Sequence, residues 1–323
     1  MSSTLALDDD YFAAYSTVIP SDDQGVIAPL LVYCITWLLG ISGNALVMWV
    51  AGQEMKKTAS IIWLLNLAAA DLIFTALLPF SIAHVALKSH WPFGSFMCKF
   101  LSFTNHLNMF TSAFILAVIS LDRCISVTMP VWSQNHRTVK SAIAVSLVVW
   151  ILAAGASVPF FLIRETVEDK FVGKTYCFYS EVTFSLSSLM MARFVLAFLI
   201  PFMIIAVCYS IIAAKVRRRW RKSSTKSCKI ISMIMSVFSV CWIPFHVLSI
   251  IHATSDEYFQ TWLPIVTSLA YVNSCINPIL YLFAGRGSTF HFKKRIQMAL
   301  RALHEEMSNS GSRSEFRLSR TIV

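Results

Sequence analysis

Apolar runs of membrane-crossing length recur along almost the whole of this chain, and nothing else in it constrains the fold so tightly. A helix needs about 20 mostly apolar residues to cross the roughly 30 Å hydrocarbon layer, because lipid offers a bare backbone no hydrogen-bond partner. Seven such spans are read, at about 26–52, 58–87, 95–128, 139–162, 186–216, 226–253 and 258–285, with ends free to move by several residues. Polar residues interrupt the third span and Arg193 interrupts the fifth. Composition agrees: 56% of residues are hydrophobic and 14% charged, against about 25% charged in a soluble domain. The predicted fold class is an all-α membrane protein, a seven-transmembrane helix bundle with a short amphipathic eighth helix.

Charge then orients the bundle. The net charge of +10 would raise nucleic-acid binding in a soluble protein, but here topology accounts for it and no nucleic acid is expected. Lys56, Lys57, Arg137, Lys140 and the segment from Lys215 to Lys229, with Arg217, Arg218, Arg219, Arg221, Lys222 and Lys226, all fall on one side. Positively charged short loops stay in the cytosol, so that side is cytoplasmic. Asp8, Asp9, Asp10, Asp22, Asp23, Asp256 and Glu257 fall on the other. Four regions follow: an extracellular acidic tail (1–25), the membrane domain (26–285), an amphipathic juxtamembrane helix (286–304) and a serine-rich cytoplasmic tail (305–323). The juxtamembrane helix places Phe290, Phe292, Ile296 and Leu303 among Lys293, Lys294, Arg295 and Arg301, the pattern of a helix lying on anionic inner-leaflet lipid. Met1 to Gly25 has no basic start and apolar stretch, so the first span is expected to be its own insertion signal. The eight cysteines show neither CxxC nor zinc spacing, which indicates no disulfide scaffold and no metal site.

Polar residues inside a membrane span are costly and mark function. The second span carries Asn66 and Asp71, the third Asn108 and Ser112 on one helical face, and the seventh Asn273, Ser274 and Asn277. Three readings of this set stay open: a hydrogen-bond network between helices, a site for a small cation, or a proton path, which would lack a second carboxylate. Asp122-Arg123-Cys124 closes the third span. That pair is either a snorkelling anchor or a local ion pair whose arginine can be released to a partner's carbonyls. Pro201, Pro244 after Cys241-Trp242-Ile243, and Pro278 within Asn277-Pro278-Ile279-Leu280-Tyr281 each remove a helical hydrogen bond and permit a kink. Three such helices in one bundle make a two-state element, and Trp242 is placed to couple a ligand above to movement below.

In this order and spacing, Gly43-Asn44, Asp71, Asp122-Arg123-Cys124, Trp150, Pro201, Cys241-Trp242-Ile243-Pro244 and Asn277 to Tyr281 resemble the rhodopsin-like (class A) G-protein-coupled receptors over roughly residues 25 to 305. The resemblance implies a sodium pocket of Asp71, Asn108, Ser112 and Asn273, and a G-protein contact at Arg123. It implies an activation set of Asp122, Arg123, Trp242, Pro244, Asn277, Pro278 and Tyr281, and a disulfide between Cys98 and Cys177. Cys124 departs from the tyrosine that is commoner there. His90-Trp91-Pro92-Phe93-Gly94, Asn108 to Ser112 and Met129 to Thr138 look more narrowly like the chemoattractant subgroup, namely the chemerin, formyl-peptide and type-two prostaglandin D2 receptors. That subgroup implies coupling to the inhibitory class of heterotrimeric G protein, and a role in leukocyte-type chemotaxis or inflammatory signalling.

On the ligand side, Arg193 lies about two helical turns outside Pro201 with no acidic residue near it in its own span. Either it snorkels to the interface or the ligand supplies its anion. Trp91, Phe110, Phe178, Phe245, His246 and Tyr271 either pack the bundle or line the pocket with it. His84 and His106 are read as satisfied core histidines. The acidic tail with Tyr11 and Tyr15 either keeps the terminus solvated or docks a basic protein ligand, and it contains no Asn-x-Ser/Thr sequon. Ser308, Ser310, Ser312, Ser314 and Ser319 are candidates for a receptor kinase and then arrestin. No catalytic constellation is found, and the last span has no lysine for a retinal Schiff base, so neither an enzyme nor a light-driven protein is expected. No cofactor is expected apart from an allosteric sodium ion. The expected ligand is a peptide or small protein such as chemerin, with a carboxylate lipid or a non-signalling decoy role as alternatives.

Overall fold

In the computed structural model, the structure describes residues 23–54, 57–170, 172–180, 185–219, 224–253 and 262–284. Helix α1 covers Asp23–Trp49 and ends in a π-helical turn, Val50–Glu54. α2 (Ala59–Ala86), α3 (Gly94–Thr128), the short α4 (Pro130–His136) and α5 (Val139–Leu162) follow. Strands β1 (Arg164–Asp169) and β2 (Lys174–Tyr179) form an antiparallel hairpin. α6 (Leu186–Phe194), a π turn (Val195–Leu199) and α7 (Ile200–Arg219) make up one long segment, and α8 (Ser224–His252) and α9 (Leu263–Ala284) complete the order. The compact unit holding the bundle ends at Pro278, and Ile279–Val323 forms a second unit.

The second, third and fourth expected spans meet α2, α3 and α5 to within a residue at each end. Five segments among the described residues are long and apolar enough to cross a membrane, and α8 carries a shorter apolar stretch, Ser236–Ile251. Several of these helices turn large apolar side chains outward: on α5, Ile151 is 70% exposed and Leu147 59%. Such a face is stable only against lipid. Residues 1–22 of the expected acidic tail, the side chains of the basic strip beyond Lys215, the amphipathic segment, the serine-rich tail and the Tyr281 side chain lie outside the described residues.

The prolines explain local geometry. Pro201 cannot donate to the carbonyl four residues earlier and its ring crowds that turn, so the preceding turn widens into π form and Ile200 N–H reaches back to Val195 O. Pro278 leaves Ser274 O without its helical donor, and Asn44 Nδ2 from α1 supplies one at 2.9 Å while also donating to Gly40 O at 3.0 Å. Close helix approach needs small residues. A Cβ on Gly40 would stand 2.4 Å from Thr75 Cγ2, and one on Gly43 would stand 3.0 Å from Pro278 Cγ. Trp150 Nε1 donates to Asn66 Oδ1 at 2.9 Å and ties α5 to α2.

The segment between α5 and α6 is the β-hairpin. Its turn uses Gly173 at φ +67°, with Gly173 N–H donating to Asp169 O at 2.8 Å and Val172 N–H to Asp169 Oδ1 at 3.1 Å. Cys98 on α3 and Cys177 on β2 form a disulfide with a Cα–Cα distance of 5.8 Å, which pins the hairpin to α3.

Candidate functional site

Two adjoining cavities lie between the hairpin and the helices. The first, of about 180 Å³, is lined by Asn105, His106 and Met109 of α3, Arg164 and Tyr179 of the hairpin, Met190 and Arg193 of α6, Trp242 and Phe245 of α8, and Thr267 and Tyr271 of α9. The second, of about 190 Å³, shares Asn105, His106, Arg164, Tyr179, Thr267 and Tyr271 and adds Tyr33, Ser81, His84 and Trp91. The first wall carries methionines and aromatics, and the second more hydroxyl and imidazole groups.

Arg193 is the most costly residue in the wall. It is 3% exposed, and neither Nε nor Nη2 has a hydrogen-bond partner. No carboxylate among the described residues pairs with it. Its guanidinium instead sits 4.6 Å above the centre of the Phe245 ring, a cation–π contact that offsets only part of the desolvation of a buried cation. The π turn ahead of Pro201 begins two residues after it. Across the cavity the Arg164 guanidinium lies 3.6 Å from the Tyr179 ring centre and donates to Cys177 O at 3.1 Å. Burial alone would raise the Tyr179 phenol, but Arg164 and then Arg193 bring it below its ordinary value.

Aromatic contacts lead inward from Arg193. Phe245 meets Trp242 edge-on at 5.8 Å, and Trp242 lies 6.2 Å from Phe238. His246 is fully buried among Phe194, Phe198, Trp242 and Phe245, with both ring nitrogens unpartnered.

Of the expected ligand residues, Arg193, Phe245 and Tyr271 therefore meet at the first cavity. Trp91 borders the second, where it also packs on Cys98 and donates from Nε1 to Gly94 O at 2.9 Å. Phe110, Phe178 and His246 line neither cavity. Phe110 packs on Phe114 and Phe160, because its azimuth on α3 turns it toward α5. Arg164, Tyr179, Asn105 and Met190 enter the wall without having been singled out as ligand residues. Thr175, Tyr176, Phe178 and Tyr179 are strand-favouring residue types, but a run this short carries too few periods to stand out from a loop. His106 is both core and wall: Nδ1 is 2.7 Å from Ser102 O, its ring stacks on Phe160 at 3.7 Å, and it borders both cavities.

Midway through the bundle, Asp71 is fully buried and accepts from Asn277 Nδ2 at 2.7 Å. Asn108 turns its amide nitrogen toward Asp71 Oδ1 (3.1 Å) and Ala70 O (3.2 Å), and its oxygen accepts from Ser274 Oγ at 2.9 Å. Ser112 Oγ is 3.3 Å from the same amide. Asn273 is buried with Nδ2 unpartnered, and Ser274 and Asn277 of the same helix contact Asn108 and Asp71. Two amide nitrogens thus satisfy the carboxylate, and the hydroxyls of Ser112 and Ser274 flank the Asn108 amide.

At the opposite end from the disulfide, the local Asp122–Arg123 pair is not formed. Both Asp122 oxygens instead accept from Arg137, at 2.7 Å and 2.8 Å. Arg137 reaches Asp122 from the loop after α4 and occupies both of its oxygens, while Arg123 Nη2 donates to Ser60 Oγ at 2.9 Å.

The family description "7 transmembrane receptor (rhodopsin family)" matches residues 43–281. The chain is a rhodopsin-family receptor. It is 42% identical over 299 residues to the C3a anaphylatoxin chemotactic receptor of Danio rerio, covering 91% of this chain and 81% of that protein. It is 37% identical over 321 residues to human chemerin-like receptor 2 (95% and 90% covered), and 37% identical over 312 residues to mouse formyl peptide receptor 2 (89% and 88%). The receptor is thus a multi-pass membrane protein of a family of receptors rather than enzymes. Its relatives include the chemerin and formyl-peptide groups that the motifs pointed to, together with a C3a group that they did not.

Proposed function

We propose that this receptor detects a chemoattractant bearing a free carboxylate, a peptide or small-protein C-terminus, and couples to the inhibitory class of heterotrimeric G protein. The observation that carries the reading is the buried, acid-free Arg193 in a cavity wall. A carboxylate there gains a charge-assisted, bidentate-capable partner that the chain itself does not provide among the described residues. Three of its relatives are named as receptors for C3a, chemerin-like and formyl-peptide ligands, and the acidic N-terminal tail would attract a basic protein. The methionine-rich wall at Met109 and Met190 favours a carboxylate lipid as the second reading.

The Cys98–Cys177 bridge supports the orientation, because disulfides persist in oxidising compartments. The outer end of α3 is then extracellular and Arg123 cytoplasmic, with the N-terminus outside, the C-terminus inside, and the serine-rich tail open to receptor kinase and arrestin. Asp71, Asn108, Ser112 and Asn273 would hold a sodium ion that stabilises the inactive packing. Ligand binding shifts the bundle only as far as the ligand prefers the active form, moving the inner part of α8 outward to expose Arg123.

The test is inhibition of cAMP accumulation in one transfected cell line, with C3a, chemerin and formyl-peptide agonists and prostaglandin D2 as probes. One peptide or protein class should inhibit through the wild type, and Arg123→Ala should abolish the response at equal surface expression. Equal responses from both proteins would reject the role of Arg123, and ligand binding without any response would favour a decoy.

A further inference from the structure

At the inner end of α3 two arginines converge on one neutral oxygen. Arg123 Nη2 donates to Ser60 Oγ at 2.9 Å, and Arg137 Nη2 donates to the same oxygen while holding Asp122 through two further hydrogen bonds. Ser60 stands in the first turn of α2, behind the N-cap Thr58. We infer that Ser60 is a positioning residue for Arg123, and that Arg137 keeps Asp122 from taking over that task.

The two contacts differ in strength. A guanidinium–carboxylate fork is the stronger kind of charge-assisted pair, whereas a hydroxyl is a neutral acceptor. By binding both Asp122 oxygens, Arg137 leaves Arg123 restrained by the weaker partner. Arg123 is therefore held against α2 by a contact that a modest conformational bias can break. This gives the two partners opposite signs. Removing the Ser60 acceptor frees Arg123 and opens the inner end. Removing Arg137 strands the Asp122 carboxylate, which is 11% exposed, and Arg123 is the neighbouring guanidinium already meeting Arg137 at Ser60. Arg123 then pairs with Asp122 and the closed state tightens. Residues that merely supported the fold would change the receptor in the same direction when removed.

The functional consequence rests on the proposed coupling role of Arg123, but the restraint itself does not, and native thiols report it without ligand or G protein. Cys124 follows Arg123 directly and packs with Cys208 in a buried cluster, while Cys241 and Cys275 are buried elsewhere in the bundle. The experiment measures N-ethylmaleimide labelling rates of these four thiols by peptide mass spectrometry, on ligand-free full-length receptor in phosphatidylcholine nanodiscs. Ser60→Thr and Ser60→Val have nearly the same shape and differ in the acceptor. Ser60→Thr should match wild type, and Ser60→Val should label Cys124 and Cys208 roughly three- to tenfold faster, as expected for one neutral hydrogen bond, with Cys241 and Cys275 unchanged. Arg137→Gln should slow the same two thiols below wild type; if it does not reach the membrane, the Thr/Val pair decides alone. Equal rates for Ser60→Thr and Ser60→Val, faster labelling in Arg137→Gln, or a common rise at all four thiols would overturn the inference. Basal nucleotide exchange on an inhibitory-class heterotrimer, measured in the same nanodiscs, should follow the thiol rates. Thiol rates that shift as expected with no change in exchange would reject the coupling role of Arg123 and leave the restraint standing.

Discussion

A buried cation without an acidic partner among the described residues is the residue-scale fact that shapes the disulfide end of this receptor. Arg193 was legible in the sequence because a charge inside an apolar run is conspicuous whatever the fold. Phe110, Phe178 and His246 were not separable from Phe245 and Tyr271, because an aromatic residue in a bundle looks the same whether it faces a cavity or a neighbouring helix. The azimuth that decides comes from packing: His246 lies under Phe245, and Phe110 turns onto Phe160. Tyr179 provides a check on the electrostatics, since Arg164 and Arg193 hold its phenol below its ordinary value against burial. In a spectrophotometric tyrosine titration of the purified receptor, one phenol should ionise ahead of the others. It should vanish in Tyr179→Phe and move to higher pH in Arg164→Gln; an unchanged curve in both would show that the guanidiniums do not act on it. A folded value below the unfolded one means that this phenolate stabilises the receptor at alkaline pH, and that the contribution fades as pH falls through the folded value.

At the scale of elements, the long helices followed from apolar run length, and α5 ends where the run ends. The hairpin and α4 did not follow. Six-residue strands and a seven-residue helix carry too few periods to stand out from a loop, and the hairpin is held by the disulfide, its own cross-strand pairing and the hydrogen bonds of Thr175 with Trp91 N–H and His90 Nδ1. Proline chemistry predicts which side chain matters for the α1–α9 junction. Asn44→Ala should leave Ser274 O without its donor and cost about 1–3 kcal/mol, read as a lower melting temperature in detergent; Asn44→Leu, of similar shape and without a donor, should give no rescue. Gly40→Ala should force α1 from α2, because its Cβ meets Thr75 Cγ2 at 2.4 Å. A loss of roughly 1–3 kcal/mol is expected, partly restored by Thr75→Ser. A melting temperature equal to wild type would mean that the two helices can separate without cost.

Taken whole, the molecule places two adjoining cavities at the disulfide end of the bundle, a buried carboxylate cluster at mid-depth and an arginine held by a hydroxyl at the other end. Aromatic contacts from Arg193 through Phe245 to Trp242 connect the first to the proline-bearing α8. The decisive comparison is a two-by-two one: wild type and Arg193→Ala, each challenged in transfected cells with a responding peptide agonist as its free C-terminal acid and as its amide, with inhibition of cAMP accumulation as readout. The free acid should lose roughly tenfold or more in potency on Arg193→Ala, as expected when one partner of a buried charge pair is removed, while the amide, already weak on wild type, changes little. If acid and amide lose potency equally, Arg193 does not receive the ligand's anion and the coupling of outer recognition to inner release described here is wrong.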